Sequence, residues 1–149
     1  MKLTTHQTKI LEQSAKILEE VARYEAASFT DCEETKRYFS NLLVGKKDEV
    51  FTVLFLDSQH RLIEKRDLFH GTINAAAVYP RVVVRTALEL NAASIICGHN
   101  HPSGVPEPSQ ADIRITERLT EALALMDIRL LDHIVVGHTA VSMAARGMI

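Results

Sequence analysis

Apolar residues Ile10, Leu11, Leu18, Val21 and Ala22 recur at helical spacing between charged neighbours, which predicts an amphipathic helix from Thr5 to Tyr24. Its apolar face must pack against another element. A second helix is predicted to begin at Thr30, where Thr30 and Glu33 have capping-box spacing, and to end near Gly45, with Phe39, Leu42 and Leu43 as its buried stripe. The segment Glu49-Val-Phe-Thr-Val-Leu-Phe-Leu-Asp57 is rich in β-branched and aromatic residues and reads as a strand, followed by the turn-like Ser58-Gln59-His60. A second strand from Arg61 to Phe69 pairs with it as a hairpin until Gly71-Thr72 breaks the run.

Pro80 suits the first turn of a helix running to Leu90, because the amide hydrogen that proline lacks is unpaired there in any case. Ala93 to Gly98 is a short apolar run and reads as a buried strand; the loop Asn100 to Pro108 follows, then a helix from Gln110 to Met126. Arg129 to Gly137 and Ala140 to Met143 supply two more strands. The pattern is that of an α/β domain with a mixed sheet, without internal repeats, low-complexity tracts or linkers.

Composition narrows the class. A chain of 149 residues suits one compact domain, and 46% apolar with 24% charged residues is ordinary globular usage. No apolar run has the length of a membrane span, and Met1 to Lys16 lacks a secretory core and cleavage site, so a cytoplasmic protein without membrane association is expected. Only Cys32 and Cys97 are present, far apart, which argues against a disulfide framework or a thiolate zinc cluster; Cys97, in an apolar run, reads as a buried inert thiol. A formal charge of -2 gives no general attraction for a phosphate backbone, and the small basic groups Lys46-Lys47 and Lys65-Arg66 read as solvated faces.

One stretch carries chemistry: Gly98-His99-Asn100-His101-Pro102-Ser103-Gly104-Val105-Pro106-Glu107-Pro108-Ser109-Gln110-Ala111-Asp112. On an extended backbone, residues two apart point to the same side, so His99 and His101 can aim both imidazoles at one point. Asp112 heads the helical stripe of Ile115, Leu119 and Met126, with Thr116 and Leu123 beside it, and a carboxylate on a buried face calls for a cation. Three nitrogen and oxygen ligands leave zinc a fourth position for water, the arrangement of catalytic sites. Pro102, Pro106 and Pro108 stiffen the intervening loop. Ser109 and Asp112 also form a helix-capping pair, which by itself needs no metal but does not account for the two histidines.

The spacing of His99-x-His101, Ser109 and Asp112 resembles the full signature of the JAMM metallohydrolases. His99-Asn-His101-Pro-Ser-Gly104 and Pro108-Ser-x-x-Asp112, with Leu68-Phe-x-Gly-Thr72 upstream and Asp132-His133-Ile-Val-Val-Gly137 downstream, resembles the RadC family in particular, from about Thr30 to the carboxyl terminus. On that reading residues 1–29 form an amino-terminal helix and residues 30–149 the RadC-like JAMM domain. The resemblance implies a cytidine-deaminase-like α/β fold, Zn2+ held by His99, His101 and Asp112, Ser109 helping to hold an oxyanion, and a peptide or isopeptide-linked protein as substrate. A glutamate on an early strand completes the JAMM set; Glu49 is the candidate, with Glu64 and Glu107 as weaker ones.

RadC proteins are named for DNA repair, and longer members carry a helix-hairpin-helix region. Here only about thirty residues precede the match, room for one helix. The chain therefore resembles the short RadC-like proteins of mobile elements, and direct nucleic-acid binding is not expected. The leading expectation is a zinc-dependent peptidase or isopeptidase; the alternative is a DNA-repair-associated or mobile-element accessory protein whose metal is structural or whose site is silent. A nucleobase deaminase is disfavoured because the His-x-Glu and Pro-Cys-x-x-Cys elements are missing.

Overall fold

The computed structural model of the protein describes residues 2–25, 29–71 and 78–149. Among these, four helices, α1 (Thr5–Tyr24), α2 (Cys32–Leu43), α3 (Pro80–Glu89) and α4 (Gln110–Ala124), accompany five strands, β1 (Val50–Leu56), β2 (Leu62–His70), β3 (Ser94–Asn100), β4 (Arg129–Val136) and β5 (Ala140–Ser142). The strands form one mixed sheet in the order β2-β1-β3-β4-β5. Only β3 and β4 run parallel, joined by α4 as the crossover helix; the other neighbours are antiparallel. No helix among the described residues is long and apolar enough to cross a membrane.

Strand alternation divides the core in two. Phe51, Val53, Phe55, Ile95 and Cys97 face α3 and α4, meeting Val83, Ala87, Ile115, Leu119 and Leu123. Leu54, Leu56, Ile96 and Ile134 face the other way, against Ala15, Ala22, Tyr38, Phe39 and Leu43 of α1 and α2. Every residue of β1 and β3 is buried, which is why both read as nearly continuous apolar runs.

Most boundaries shift by a residue or two from the sequence expectation, and four of the differences are informative. The amino-terminal cap of α2 is Asp31, whose carboxylate accepts from the Glu34 amide at 2.8 Å, and not Thr30. Burial of Phe29 edge-on against Tyr38 fixes the chain one residue further along before the helix turns. β3 continues past Gly98 to Asn100, because His99 and Asn100 still pair with Val135 and Val136 of β4. α4 stops at Ala124, and Met126, expected on its buried stripe, is 47% exposed; the chain reverses through Asp127 at φ 56°. β1 begins at Val50, leaving Glu49 just outside it. Of the expected hairpin break, Gly71 has φ 100° and Thr72 lies outside the described residues.

Gly98 lies directly before the first histidine of the candidate site, and a Cβ there would come within 2.4 Å of the Phe39 ring. The ring is buried and cannot yield cheaply. Gly98→Ala should therefore cost about 1–3 kcal/mol by overpacking, measured as a shift in urea midpoint with unchanged slope. A substitution with no effect would mean that α2 packs less tightly on the sheet than the structure indicates.

Candidate metal centre

β3 delivers His99, and the chain just beyond it delivers His101, whose backbone amide continues the ladder by donating to the Val136 carbonyl at 2.7 Å. The register that sets Phe51 of β1 opposite His99 brings Glu49 to the same edge of the sheet. Asp112 comes from the first turn of α4, where its carboxylate accepts from the Ser109 amide at 2.7 Å while the Ser109 hydroxyl accepts from the Asp112 amide at 3.1 Å. This reciprocal cap locks the Asp112 side chain, and the partial positive charge of the helix start favours its ionised form.

These elements bring three side chains to one point. His99 Nε2 and His101 Nε2 are 2.9 Å apart, Asp112 Oδ1 is 3.2 Å from the first and Asp112 Oδ2 is 3.2 Å from the second. His99 and Asp112 are buried, and His101 is partly so. Glu49, His99 and His101 also offer ligand atoms within 4.8 Å of one another, a group that could hold a metal ion. His99, His101 and Asp112, with Glu49 beside the two histidines, thus gather around a single centre.

The donor set fits a cation. Ligand atoms around one tetrahedral zinc, with bonds of about 2.0–2.1 Å, stand roughly 3.3 Å apart, close to the observed separations. His101 Nδ1 lies 2.7 Å from the Val105 carbonyl, which can only accept, so the ring hydrogen is on Nδ1 and Nε2 turns a lone pair to the centre. With no cation present, Asp112 raises the pKa of the His101 imidazole, because only its protonated form can donate from Nε2 to the carboxylate, and this outweighs the opposing effect of burial. Burial also works to raise the Asp112 carboxyl, but the adjoining His101 and His99 rings and the Ser109 hydroxyl outweigh it and hold Asp112 well below the usual carboxylate range.

The remaining candidates separate clearly. The Ser109 hydroxyl lies 2.7 Å from Asp112 Oδ2 and spends its hydrogen there, so in this state it orients Asp112. Glu107 pairs with Arg146 at the protein surface. Glu64 pairs with Arg66 and sits opposite Phe55, four residues along β1 from the partner of His99, roughly 13 Å from the site edge. Glu49 is the acidic candidate that the register delivers to the centre.

Asn100 has a role that the sequence reading did not assign. Its buried side-chain amide donates to the Asp48 carbonyl at 3.0 Å and accepts from the Val50 amide at 2.8 Å, gripping the backbone on both sides of Glu49. The Gly71 amide adds a third hold by donating to the Glu49 carbonyl at 2.9 Å. The site loop is fixed as firmly: Gly104, at φ 84°, packs so closely that a Cβ would meet the His138 ring at 2.4 Å, and its carbonyl accepts from the His138 amide at 2.7 Å. An asparagine between two histidines was the signal available for the first of these. Its partners, about fifty residues upstream, were not.

A mixed sheet covered by helices on both faces, with two histidines and a carboxylate gathered where β3 and β4 end, defines an α/β domain of the JAB type with a candidate metal centre. The chain belongs to the RadC-like JAB domain family, whose model matches residues 29–148. It is 55% identical over 143 residues to a UPF0758 protein of Vibrio cholerae serotype O1, covering 95% of this chain and 89% of that one. A UPF0758 protein of Marinomonas is 54% identical over 141 residues, 94% of this chain but 62% of the relative, and one of Marinobacter nauticus is 60% identical over 116 residues, 77% of this chain and 52% of the relative. Against these longer relatives the chain spans between about half and three fifths of the protein.

Behind the centre, burial pushes the His133 imidazole down from its ordinary value of 6.5 to about 3. Between those values the unfolded chain binds a proton that the native one does not, so stability contributed by neutral His133 is complete above about pH 6.5 and is lost as the pH falls toward 3. Asp112 acts in the same direction in acid, whereas His101, being raised, acts in the opposite sense. Metal-free protein should therefore lose on the order of a few kcal/mol through His133 over that interval. Urea unfolding across the pH range checks this: His133→Gln should flatten the acid slope, and an unchanged slope would refute the assignment.

Proposed function

We propose that this protein is a zinc-dependent hydrolase that cleaves peptide or isopeptide bonds, with His99, His101 and Asp112 as ligands, Glu49 as the proton-handling group and Ser109 as a donor to the developing oxyanion. The observation that carries this reading is the convergence of two imidazole Nε2 atoms and both oxygens of one carboxylate within 3.2 Å, beside a second carboxylate. Asp112 is preferred to Glu49 as the third ligand because its two oxygens contact both imidazoles and its rotamer is locked by the cap of α4.

A zinc ion held by His99, His101 and Asp112 would supply Lewis acidity to the attack of water on the carbonyl. Glu49, held by Asn100 at the edge of the site, accepts a proton from the attacking water and returns it to the leaving amine, so that no net proton is consumed at the protein. Ser109 acts by rotating its hydroxyl hydrogen away from Asp112 Oδ2 toward the carbonyl oxygen as negative charge develops there. Its backbone amide keeps Asp112 oriented meanwhile, at 2.7 Å.

Metal analysis of the purified protein, followed by screening of peptide and isopeptide libraries with and without zinc, tests the reading. Asp112→Asn should weaken zinc binding severely, whereas Glu49→Gln should retain the metal and lose turnover; the reverse pattern would make Glu49 the ligand. Stoichiometric zinc without turnover on any amide-linked substrate would favour the accessory-protein alternative.

Ser109→Ala separates capping from catalysis. Loss of the cap should cost about 1 kcal/mol of stability. Loss of an oxyanion donor should lower turnover by something on the order of 100-fold while zinc remains bound. Near-normal turnover at a temperature where the variant is folded would leave Ser109 as a helix cap alone.

A further inference from the structure

His133 is fully buried on β4 and has no part in the hydrolysis proposed above. It pairs with Cys97 across the parallel ladder, and its ring lies beside that of His99, with centroids 4.9 Å apart. Its Nε2 is 2.8 Å from His99 Nδ1, and its Nδ1 is 2.7 Å from Thr116 Oγ1 on α4. Phe51 covers both rings, stacked on His99 and edge-on to His133. An imidazole in so apolar a place is costly unless both nitrogens are satisfied, and both are.

The hydrogens along this chain can be assigned from its far end. Thr116 Oγ1 lies 2.6 Å from the Asp112 carbonyl oxygen. A carbonyl only accepts, so the single hydroxyl hydrogen is committed there, and the hydroxyl oxygen must accept from His133 Nδ1–H. Neutral His133 then presents a bare Nε2, which accepts from His99 Nδ1–H. His99 Nε2 is left with its lone pair directed at His101 and Asp112. With the opposite polarity His99 would carry a hydrogen on Nε2, in the space between the ligands.

We propose that His133, held by Thr116, is a positioning residue that locks His99 in the tautomer able to bind a metal and ties the first ligand to the backbone of the third. This rests on the metal-site reading given under Proposed function. The four residues close a ring: His99 to His133, His133 to Thr116, Thr116 to the Asp112 carbonyl, and the Asp112 carboxylate back to His99. Val105 fixes the tautomer of His101 from the loop, and His133 fixes that of His99 from the core, so both histidines present Nε2. Partners of this kind typically change metal affinity by about 10–100-fold when removed.

The test compares zinc affinity, by competition with a chromogenic chelator, in the wild type, His133→Phe, His133→Gln and Thr116→Val, with circular dichroism and unfolding to establish the folded fraction. His133→Phe should lose about 10–100-fold in zinc affinity, and His133→Gln, which can offer an amide oxygen to His99 Nδ1, should recover much of it. Nitrogen-15 spectra of the imidazoles in metal-free wild type at mildly alkaline pH should show His99 protonated at Nδ1 with Nε2 bare. Undiminished zinc affinity in folded His133→Phe, or an Nε2-protonated His99 in the wild type, would overturn the proposal. Should His133→Phe not fold, the near-isosteric Thr116→Val and the wild-type spectrum decide. Failure of the wild type itself to bind zinc would instead overturn the metal-site reading.

Discussion

Two imidazole nitrogens 2.9 Å apart, with a carboxylate oxygen 3.2 Å from each, make an electron-rich cluster that a folded chain would ordinarily avoid. Burying such groups is unfavourable unless positive charge lies among them. The architecture nevertheless forces them together. β3 is central in the sheet, paired with β1 on one side and β4 on the other, and α4 returns its first turn over the end of β3. None of these elements can move alone, because Phe51, Ile115 and Leu119 share one core with them. A cluster held apart from its lowest-energy separation by surrounding packing is what preorganisation for a cation means in structural terms.

Much of this was legible in the sequence because the relevant interactions are local. Strand alternation places His99 and His101 on one side, helical periodicity places Asp112 above Ile115, and the Ser109–Asp112 cap is set by a three-residue spacing. What the local pattern could not place depends on register, Glu49 having been named only through the family resemblance. Glu49 reaches the centre because Phe51 pairs with His99 rather than with a neighbour, and His133 reaches His99 because two strands separated by a helix align in parallel. A one-residue slip would send either side chain to the opposite face. The cap of α2 escaped for a related reason: Thr30 and Asp31 are both acceptable caps locally, and burial of Phe29 decides between them.

The back of the sheet matters as much as the front. Gly98 has no side chain, so Phe39 of α2 can pack flat against the strand that bears the histidines. Asp132, next to His133, braces the other side by accepting from the His133 and Ala144 amides and from the Ser142 hydroxyl, which secures β5 and the chain beyond it. Rigidity at the centre is thus supplied from both layers. Loops alone would hold such a site less precisely.

The triplet His99-Asn100-His101 shows how few residues this arrangement requires. Alternation sends the two histidines toward Asp112 and turns Asn100 away from them, where a bare backbone edge would otherwise be left unpaired at Asp48 and Val50. An aliphatic residue at this position would fill the space but leave the buried Val50 amide without a partner, at about 1–3 kcal/mol. A longer polar residue would push the two strands apart. Asparagine extends the β1–β3 ladder by one rung with its own side chain, and the residue bracketed by that rung is Glu49. The paired histidines and the placement of Glu49 beside them are therefore consequences of a single strand end, and a change in its pairing would disturb all three together.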